Sequence, residues 1–69
     1  MLYGAFTFDV AGNELSYVYS ESLQDMKDYV NRTLPSLEKN QSIGIWEMDE
    51  FGMFDMSEDT AEFYKKKLN

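Results

Sequence analysis

The sequence predicts one α+β domain over residues 1–69: an antiparallel sheet in β-β-α-β-β-α order, with the main helix packed on one sheet face and a short C-terminal helix. Three observations predict this class. Two Gly-containing turns, at Gly12 and Gly52, each separate stretches typical of strands. A stretch with apolar residues at helical spacing lies between these two hairpins. The chain has 69 residues and is 43% hydrophobic, which suffices for one small core and not for two.

Residues 2–20 are predicted to form the first hairpin. The segment Ala11–Glu14 fits a type II′ turn in which Gly12 takes a positive φ. This turn sets a register in which every facing pair is apolar or aromatic: Val10 with Leu15, Phe8 with Tyr17, and Phe6 with Tyr19. We expect this face, which Leu2 joins, to be a core face. The opposite face is mostly polar and holds Tyr3, Thr7, Asp9, Ser16, Val18 and Ser20.

The main helix is predicted to begin after Ser22, which serves as its N-cap, with Asp25 at the third helical position as in a capping box. Apolar residues then recur at helical spacing: Leu23, Met26, Tyr29, Val30 and Leu34. Pro35 disfavours helical geometry in the preceding residue, so it should end or kink the helix there. We expect one further turn after it, with Leu37 folded back on the core.

A second hairpin is predicted over residues 42–56. Residues 49–52, Asp-Glu-Phe-Gly, fit a type I turn closed by a Gly bulge. That register makes a second apolar face, with Met48 opposite Phe54 and Trp46 opposite Met56. It also places Glu47 opposite Asp55, and like charges that face each other destabilise a sheet. Either the register is shifted, or this face binds a cationic partner.

The last element is predicted to be a helix from Glu58 to Leu68. Ser57 would be its N-cap, and acidic residues in the first turn and lysines in the last turn complement the helix dipole. A short apolar stripe could dock on the sheet: Ala61, Tyr64 and Leu68.

An acidic stretch is the strongest indication of function. The chain has a formal net charge of -7, and residues 47–62 contain seven carboxylates and no Lys or Arg. Large apolar side chains alternate with these acids: Trp46, Met48, Phe51, Met53, Phe54, Met56 and Phe63. An anionic surface with adaptable apolar side chains suits a basic protein surface, and it disfavours phosphate or nucleic acid.

The composition argues against catalysis and against cofactors. Neither His nor Cys is present, which removes the usual general base, the soft nucleophile, disulfides and zinc sites with thiolate or imidazole ligands. A carboxylate pair such as Glu47 and Asp55 could do acid–base work as in a glycosidase, but acids on a small sheet are more often plain surface residues. Loops starting at Asp49 or Asp55 do not fit a calcium-binding EF-hand. We therefore predict a protein that is not an enzyme and has no metal or cofactor.

The sequence also limits the partners and the location. Its only basic run, residues 65–67, is explained by the helix end, so no direct nucleic-acid binding is expected. No apolar stretch reaches about 18 residues and no signal peptide is visible, so the expected location is the cytoplasm without membrane contact.

We predict a non-enzymatic module that docks on a basic target protein and inhibits it. The residues expected to contact the partner are one apolar anchor, Phe51, and the steering carboxylates Glu47, Asp49, Glu50, Asp55, Glu58, Asp59 and Glu62. Three alternatives remain open. The chain could be a small enzyme or a metal sensor. The acids could simply keep the protein soluble. The chain could also be a structural homo-oligomer or adaptor, in which a second subunit covers Ile43 and Ile45.

The small size, the acidity and the hairpin–helix–strand order resemble the small inhibitor proteins that bacteriophages encode against host enzymes and defence systems. Several such families bind a host polymerase, nuclease or toxin directly. Some present carboxylates where the target expects phosphates, as nucleic-acid mimics. The resemblance covers the architecture of the whole chain and assigns no residues. It implies an anti-defence or host-takeover inhibitor acting in the host cytoplasm.

Overall fold

The computed structural model describes residues 1–48, 51–54 and 61–66. In these residues an antiparallel four-stranded sheet is covered on one face by a single main helix, which confirms the predicted α+β class. The elements in chain order are β1 (Tyr3–Phe8), β2 (Glu14–Ser20), α1 (Leu23–Thr33), a 3-10 turn (Leu34–Ser36), β3 (Ser42–Glu47) and β4 (Glu62–Lys65). The strand order is β2-β1-β3-β4, so β2 and β4 are the edge strands.

The first hairpin is confirmed, but its predicted register is wrong by two residues. Phe6 faces Tyr17 and Gly4 faces Tyr19, and the pairing shifts again between Thr7 and Phe8. Because the side-chain period of a strand is two, a shift of two residues leaves the side chains of Ser16 to Ser20 on their predicted faces, whereas the second shift brings Glu14 opposite Phe8.

The register differs because Asp9 organises a longer turn than the predicted one. The Gly12 N–H donates to the Asp9 carbonyl at 3.0 Å, and the Asp9 N–H donates to the Asn13 carbonyl at 2.9 Å. The Asp9 carboxylate accepts the backbone N–H groups of Ala11 and Asn13 at 2.9 and 2.8 Å. The Asn13 backbone N–H is the largest cause that holds the pKa of Asp9 below its usual value. Gly12 does take a positive φ, of 86°, as predicted.

The start of α1 is also confirmed. Ser22 is the N-cap, and its hydroxyl accepts the backbone N–H of Asp25 at 3.2 Å. In a capping box the Asp25 side chain would accept the Ser22 N–H directly, whereas here Ser20 lies between the two residues. The Ser20 hydroxyl accepts the Ser22 N–H at 3.0 Å and lies 3.5 Å from an Asp25 carboxylate oxygen, to which it donates.

The α-helix ends before Pro35, as predicted, but Leu34 keeps helical dihedral angles (φ -49°, ψ -45°), so the expected reason was wrong: Pro35 lacks the N–H that a further α-helical bond needs. The α-helix ends at Thr33, the 3-10 turn follows, and Leu37 is buried in the core. The ammonium group of Lys66 donates to the carbonyls of Leu34 and Pro35 at 3.5 and 3.3 Å. This lysine thus supplies a donor to the Pro35 carbonyl and a second donor to the Leu34 carbonyl, which also accepts the Leu37 N–H at 3.2 Å.

The helix covers the face that the sequence analysis described as mostly polar. Met26 and Val30 of α1 pack there with Ala5, Ile43 and Ile45. The partly buried residues around this core are Tyr3, Val18, Leu23, Tyr29, Leu34 and Tyr64. The helix can approach closely here because Ala and Ile side chains stand lower on a sheet than aromatic rings do. Ile43 and Ile45 are buried beneath α1, so a second subunit is not needed to cover them.

The second hairpin is confirmed in part. Met48 and Phe54 face each other in an antiparallel bridge, as predicted, and Gly52 has a positive φ of 80°. The predicted pairs of Trp46 with Met56 and of Glu47 with Asp55 include residues outside the described part of the chain.

Residues Glu62–Lys65, which were predicted to be helical, form strand β4 along β3. In a strand, Phe63 and Tyr64 point to opposite sheet faces, and each finds apolar contacts: Phe63 with Trp46, and Tyr64 with the core beneath α1. A short helix would place only one of these rings against the sheet, and an isolated helix of that length is marginal. Residues 58–60, 67 and 68 of the predicted helix lie outside the described residues.

Candidate protein-binding surface

The sheet face opposite α1 carries a continuous set of aromatic rings, which we call the aromatic face. Its members among the described residues are Phe6, Phe8, Tyr17, Tyr19, Trp46, Phe54 and Phe63. Neighbouring ring centroids are 5.0 to 6.3 Å apart, within the range of favourable aromatic pairs. Each ring therefore restricts the motion of the next.

Two glycines explain how the central rings are buried although no helix of the described residues covers them. A Cβ atom on Gly44 would lie 2.5 Å from the Trp46 ring, and one on Gly4 would lie 2.7 Å from the Phe6 ring. Both rings therefore pack directly against the glycine backbone. Trp46 is consequently 2% exposed and Phe6 5% exposed.

The rings on the edge strands are much more open. Tyr17 and Tyr19 of β2 are 52% and 50% exposed, and Phe63 of β4 is 37% exposed. Tyr19 stacks on Phe54 with an interplanar angle of 12° and a centroid distance of 5.1 Å. Partial desolvation, followed by the proximity of Tyr17, raises the pKa of Tyr19 above its usual value. The Tyr19 hydroxyl therefore stays neutral at physiological pH.

Within the described strands, the charged side chains of the aromatic face lie at one end only. Glu14 faces Phe8 across the β1–β2 pair, and Lys65 faces Ser42 across the β3–β4 pair. The centre of the face is apolar. An apolar centre with a charged margin is the usual anatomy of a protein-binding surface.

The predicted carboxylates that the structure describes lie on the helix side of the sheet. Glu47 faces Tyr3 in register and Glu62 faces Ile45, which makes the two acids diagonal neighbours. Both line a small cleft of about 120 Å³ together with Leu23. The structure therefore brings Glu47 and Glu62 together, but on the face opposite most of the exposed rings.

Phe51, the predicted anchor, lies in the turn between Met48 and Phe54 and is 82% exposed. It is adjacent in sequence to Gly52 and close to Met53, which is 69% exposed. The remaining predicted contact residues lie outside the described part of the chain: Asp49, Glu50, Asp55, Glu58 and Asp59.

The sequence analysis missed Tyr17 and Tyr19 as surface residues because it assigned their face to the core. A signal was available in β1 and β3, which are apolar on both faces. Ala5 alternates with Phe6, and Ile45 alternates with Trp46. Two apolar faces and one main helix leave one face without a helix to cover it.

Tyr64 and Glu62 form a hydrogen bond whose loss can be measured. The Tyr64 hydroxyl donates to a Glu62 carboxylate oxygen at 2.8 Å. Desolvation, followed by this bond, raises the pKa of Tyr64 above its usual value. A group with a raised folded-state pKa stabilises the fold fully below its unfolded pKa of about 10, and this contribution disappears as the pH rises through the folded value.

We therefore expect wild-type protein to lose more stability than the Tyr64→Phe variant as the pH is raised above about 10. The variant lacks the Tyr64 hydroxyl, so the pH dependence of the difference in urea midpoint between the two proteins reports the ionisation of Tyr64. The midpoint difference should be constant near neutral pH and shrink in the alkaline range. Parallel midpoint curves throughout would show that the ionisation of Tyr64 is not linked to folding.

Among the described residues, no group of three or more Asp or Glu side chains is placed to hold a metal ion. No helix within residues 1–48, 51–54 and 61–66 has the length and apolarity required to cross a membrane.

Comparison with known proteins gives no assignment. No protein-family model matches the chain, and no curated protein or solved structure matches it either.

Proposed function

We propose that this protein is a non-enzymatic binding module that docks on a basic target protein and inhibits it. The observation that carries the proposal is the aromatic face, with Tyr17 and Tyr19 half exposed at its margin, in a chain of net charge -7. Tyr and Trp dominate binding energy in protein interfaces because they supply large contact areas at a low entropic cost. The packed rings beneath the two tyrosines keep them preorganised.

Charge supplies the selectivity in this proposal. A sequence pI of about 4.2 means that the whole surface attracts a basic partner at neutral pH. Charge complementarity mainly accelerates association, whereas the buried anchors slow dissociation. Where the target is a nucleic-acid enzyme, the carboxylates would occupy its phosphate-binding positions. The likeness in size and acidity to phage inhibitors supports the inhibitory role.

The test starts with affinity capture from bacterial lysate by the tagged chain, washed at low and at high salt. A retained basic protein is then purified, and its activity is assayed with and without the untagged chain. We expect stoichiometric binding and loss of the target's activity. The Tyr19→Ala variant should bind weakly, while Val10→Ala, which trims an exposed apolar side chain in the hairpin turn, should bind normally. Absence of a retained basic protein, or binding without inhibition, would contradict the proposal.

Electrostatic steering of a basic partner makes a separate prediction for Glu47 and Glu62, the two carboxylates that line the cleft. Reversing both Glu47 and Glu62 to Lys should weaken target binding by about tenfold at low salt and much less at high salt, because salt screens exposed charges. The double reversal of Glu21 and Glu38, both exposed, changes the net charge equally and serves as the control. An equal loss of affinity at both ionic strengths would show that these carboxylates do not steer.

A further inference from the structure

The outer side of β2 is an open strand edge, and the hydrogen-bond pattern shows which residues present it. The Met48 N–H donates to the Leu2 carbonyl at 2.8 Å, in register with the β1–β3 pairs. Since antiparallel strands alternate their bonding direction, the even-numbered residues of β1 bond to β3 and the odd-numbered residues bond to β2. The partners of the odd-numbered residues in β2 are Ser16, Val18 and Ser20. The backbone groups of Tyr17 and Tyr19 therefore point away from β1, toward the open side.

The two sheet edges differ in their protection. β4 is four residues long and carries Glu62 and Lys65, which are features that block further strand pairing. β2 is seven residues long, and its segment Leu15–Ser20 contains neither a charged residue nor Pro. In the described part of the chain, no strand pairs with the outer side of β2. Strand pairing is thus blocked at the β4 edge and remains possible at the β2 edge.

A groove of about 370 Å³ lies beside this edge, between β2 and α1. Its lining includes Val18, Tyr29, Arg32 and two carboxylates, Asp25 and Asp28. The hydrogen-bond partners of the two carboxylates are neutral: the Ser20 hydroxyl for Asp25 and the Gln24 amide, at 3.0 Å, for Asp28. Both carboxylates therefore keep acceptor capacity for a further cation, and together with Arg32 they give the lining a net charge of -1 (two carboxylates and one guanidinium).

We infer that the β2 edge binds an extended segment of a basic partner protein, which adds to the sheet as a fifth, antiparallel strand. The inference deepens the proposed function and rests on it for the basic character of the partner. Side chains of an added strand alternate between the two faces. Lys or Arg side chains would enter the groove at Asp25 and Asp28, and the alternate apolar side chains would lie beside Tyr17 and Tyr19. Charge argues against a second copy as the occupant, because two chains of net charge -7 repel and would bring their acidic grooves together.

The antiparallel geometry makes a position-specific prediction. Residues of the added strand that lie opposite Tyr17 and Tyr19 exchange hydrogen bonds with them and share the aromatic face. Their N–H groups are needed for binding. The N–H groups of the Lys residues point away from β2 and are not needed.

The probe is a fluorescent peptide, Lys-Val-Lys-Tyr-Lys-Val-Lys, whose affinity for the full chain is measured by anisotropy. N-methylation of a Val or Tyr amide should weaken binding by about tenfold, the effect of one lost hydrogen bond, whereas N-methylation of an internal Lys amide should change it by less than about twofold. Tyr17→Pro should abolish binding, while Tyr17→Ala should retain part of it. An edge strand tolerates Pro where the N–H points outward, and circular dichroism checks that Tyr17→Pro is folded.

Each other outcome overturns the inference in a distinguishable way. Equal effects of both N-methyl series would show that the peptide binds by charge alone, which leaves the basic-target proposal intact. Equal binding of a peptide with Glu in place of Lys would refute the basic chemistry. A chain that sediments as a dimer, and as a monomer after Tyr17→Pro, would identify a second copy as the occupant. If Tyr17→Pro does not fold, the two N-methylated peptide series still test whether the peptide adds as a strand. If no peptide binds while the chain still captures a basic target, strand addition at the β2 edge is refuted and the proposed function is not.

Discussion

Replacing Trp46 by Ala is expected to unfold the domain. The Trp46 ring makes edge-to-face contacts with Phe6, Phe8 and Phe63 at centroid distances of 5.5, 5.6 and 5.1 Å. Truncating a fully buried Trp to Ala costs about 3–5 kcal/mol. Small domains have total stabilities near the lower end of about 5–15 kcal/mol, so this loss is comparable with the whole stability.

Far-UV circular dichroism during a urea titration measures the effect, since the variant lacks the chain's one Trp and has no indole fluorescence. Trp46→Phe is the matched control, because it keeps a ring on the bare backbone of Gly44 and should remain folded with a smaller loss. A Trp46→Ala protein with a near wild-type midpoint would mean that the aromatic face contributes little to the fold.

The second large effect is expected at Gly44. An Ala Cβ at this position would lie 2.5 and 2.6 Å from two atoms of the Trp46 ring and 3.2 Å from the Phe63 ring. Trp46 cannot swing away freely because three other rings pack against it. Overpacking of this kind costs about 1–3 kcal/mol, and we expect Gly44→Ala to lie at the upper end of that range.

A double-mutant cycle separates this clash from a general cost of Ala in the strand. The loss of unfolding free energy caused by Gly44→Ala should be smaller in the Trp46→Phe background, where the ring ends sooner. Coupling between contacting residues typically amounts to about 0.5–3 kcal/mol. If the losses of unfolding free energy are additive, the added methyl group does not clash with the Trp46 ring.

The features that the sequence predicts correctly depend on local chemistry. Ser22 caps α1 through its own hydroxyl, and Pro35 has no N–H with which to continue the α-helical hydrogen bonds, so both signals act within a few residues. The bridge between Met48 and Phe54 is also short in range and follows from the turn that joins them. Such features can be predicted without knowledge of the rest of the fold.

One error has a local cause and the other a long-range cause. The register of the first hairpin depends on the Asp9 carboxylate, which accepts backbone N–H groups inside the turn and so favours a longer turn than the predicted one. β4 exists because β3 offers a strand edge and apolar contacts on both faces to Phe63 and Tyr64, which outweighs a marginal helix. This second result cannot be derived from the residues of β4 alone.

The candidate site shows the same division. The sequence analysis identified the acidic character and selected Glu47 and Glu62, which the structure places as neighbours on one cleft. It did not identify Tyr17 and Tyr19 as half-exposed residues. Their exposure depends on which apolar sheet face α1 covers, and Ala5 and Ile45 decide this through close packing with the helix.

The position of β4 has a consequence for folding during synthesis. β3 ends at Glu47 and its outer neighbour begins at Glu62, so the ribosome must make the intervening segment before the sheet can be completed. At roughly 5–20 residues per second, this takes on the order of one to three seconds. Until β4 has been made and has paired, the outer edge of β3 has no partner among the described strands, and such an edge is a template for pairing with other chains. The sheet is therefore completed only after its other three described strands have been made.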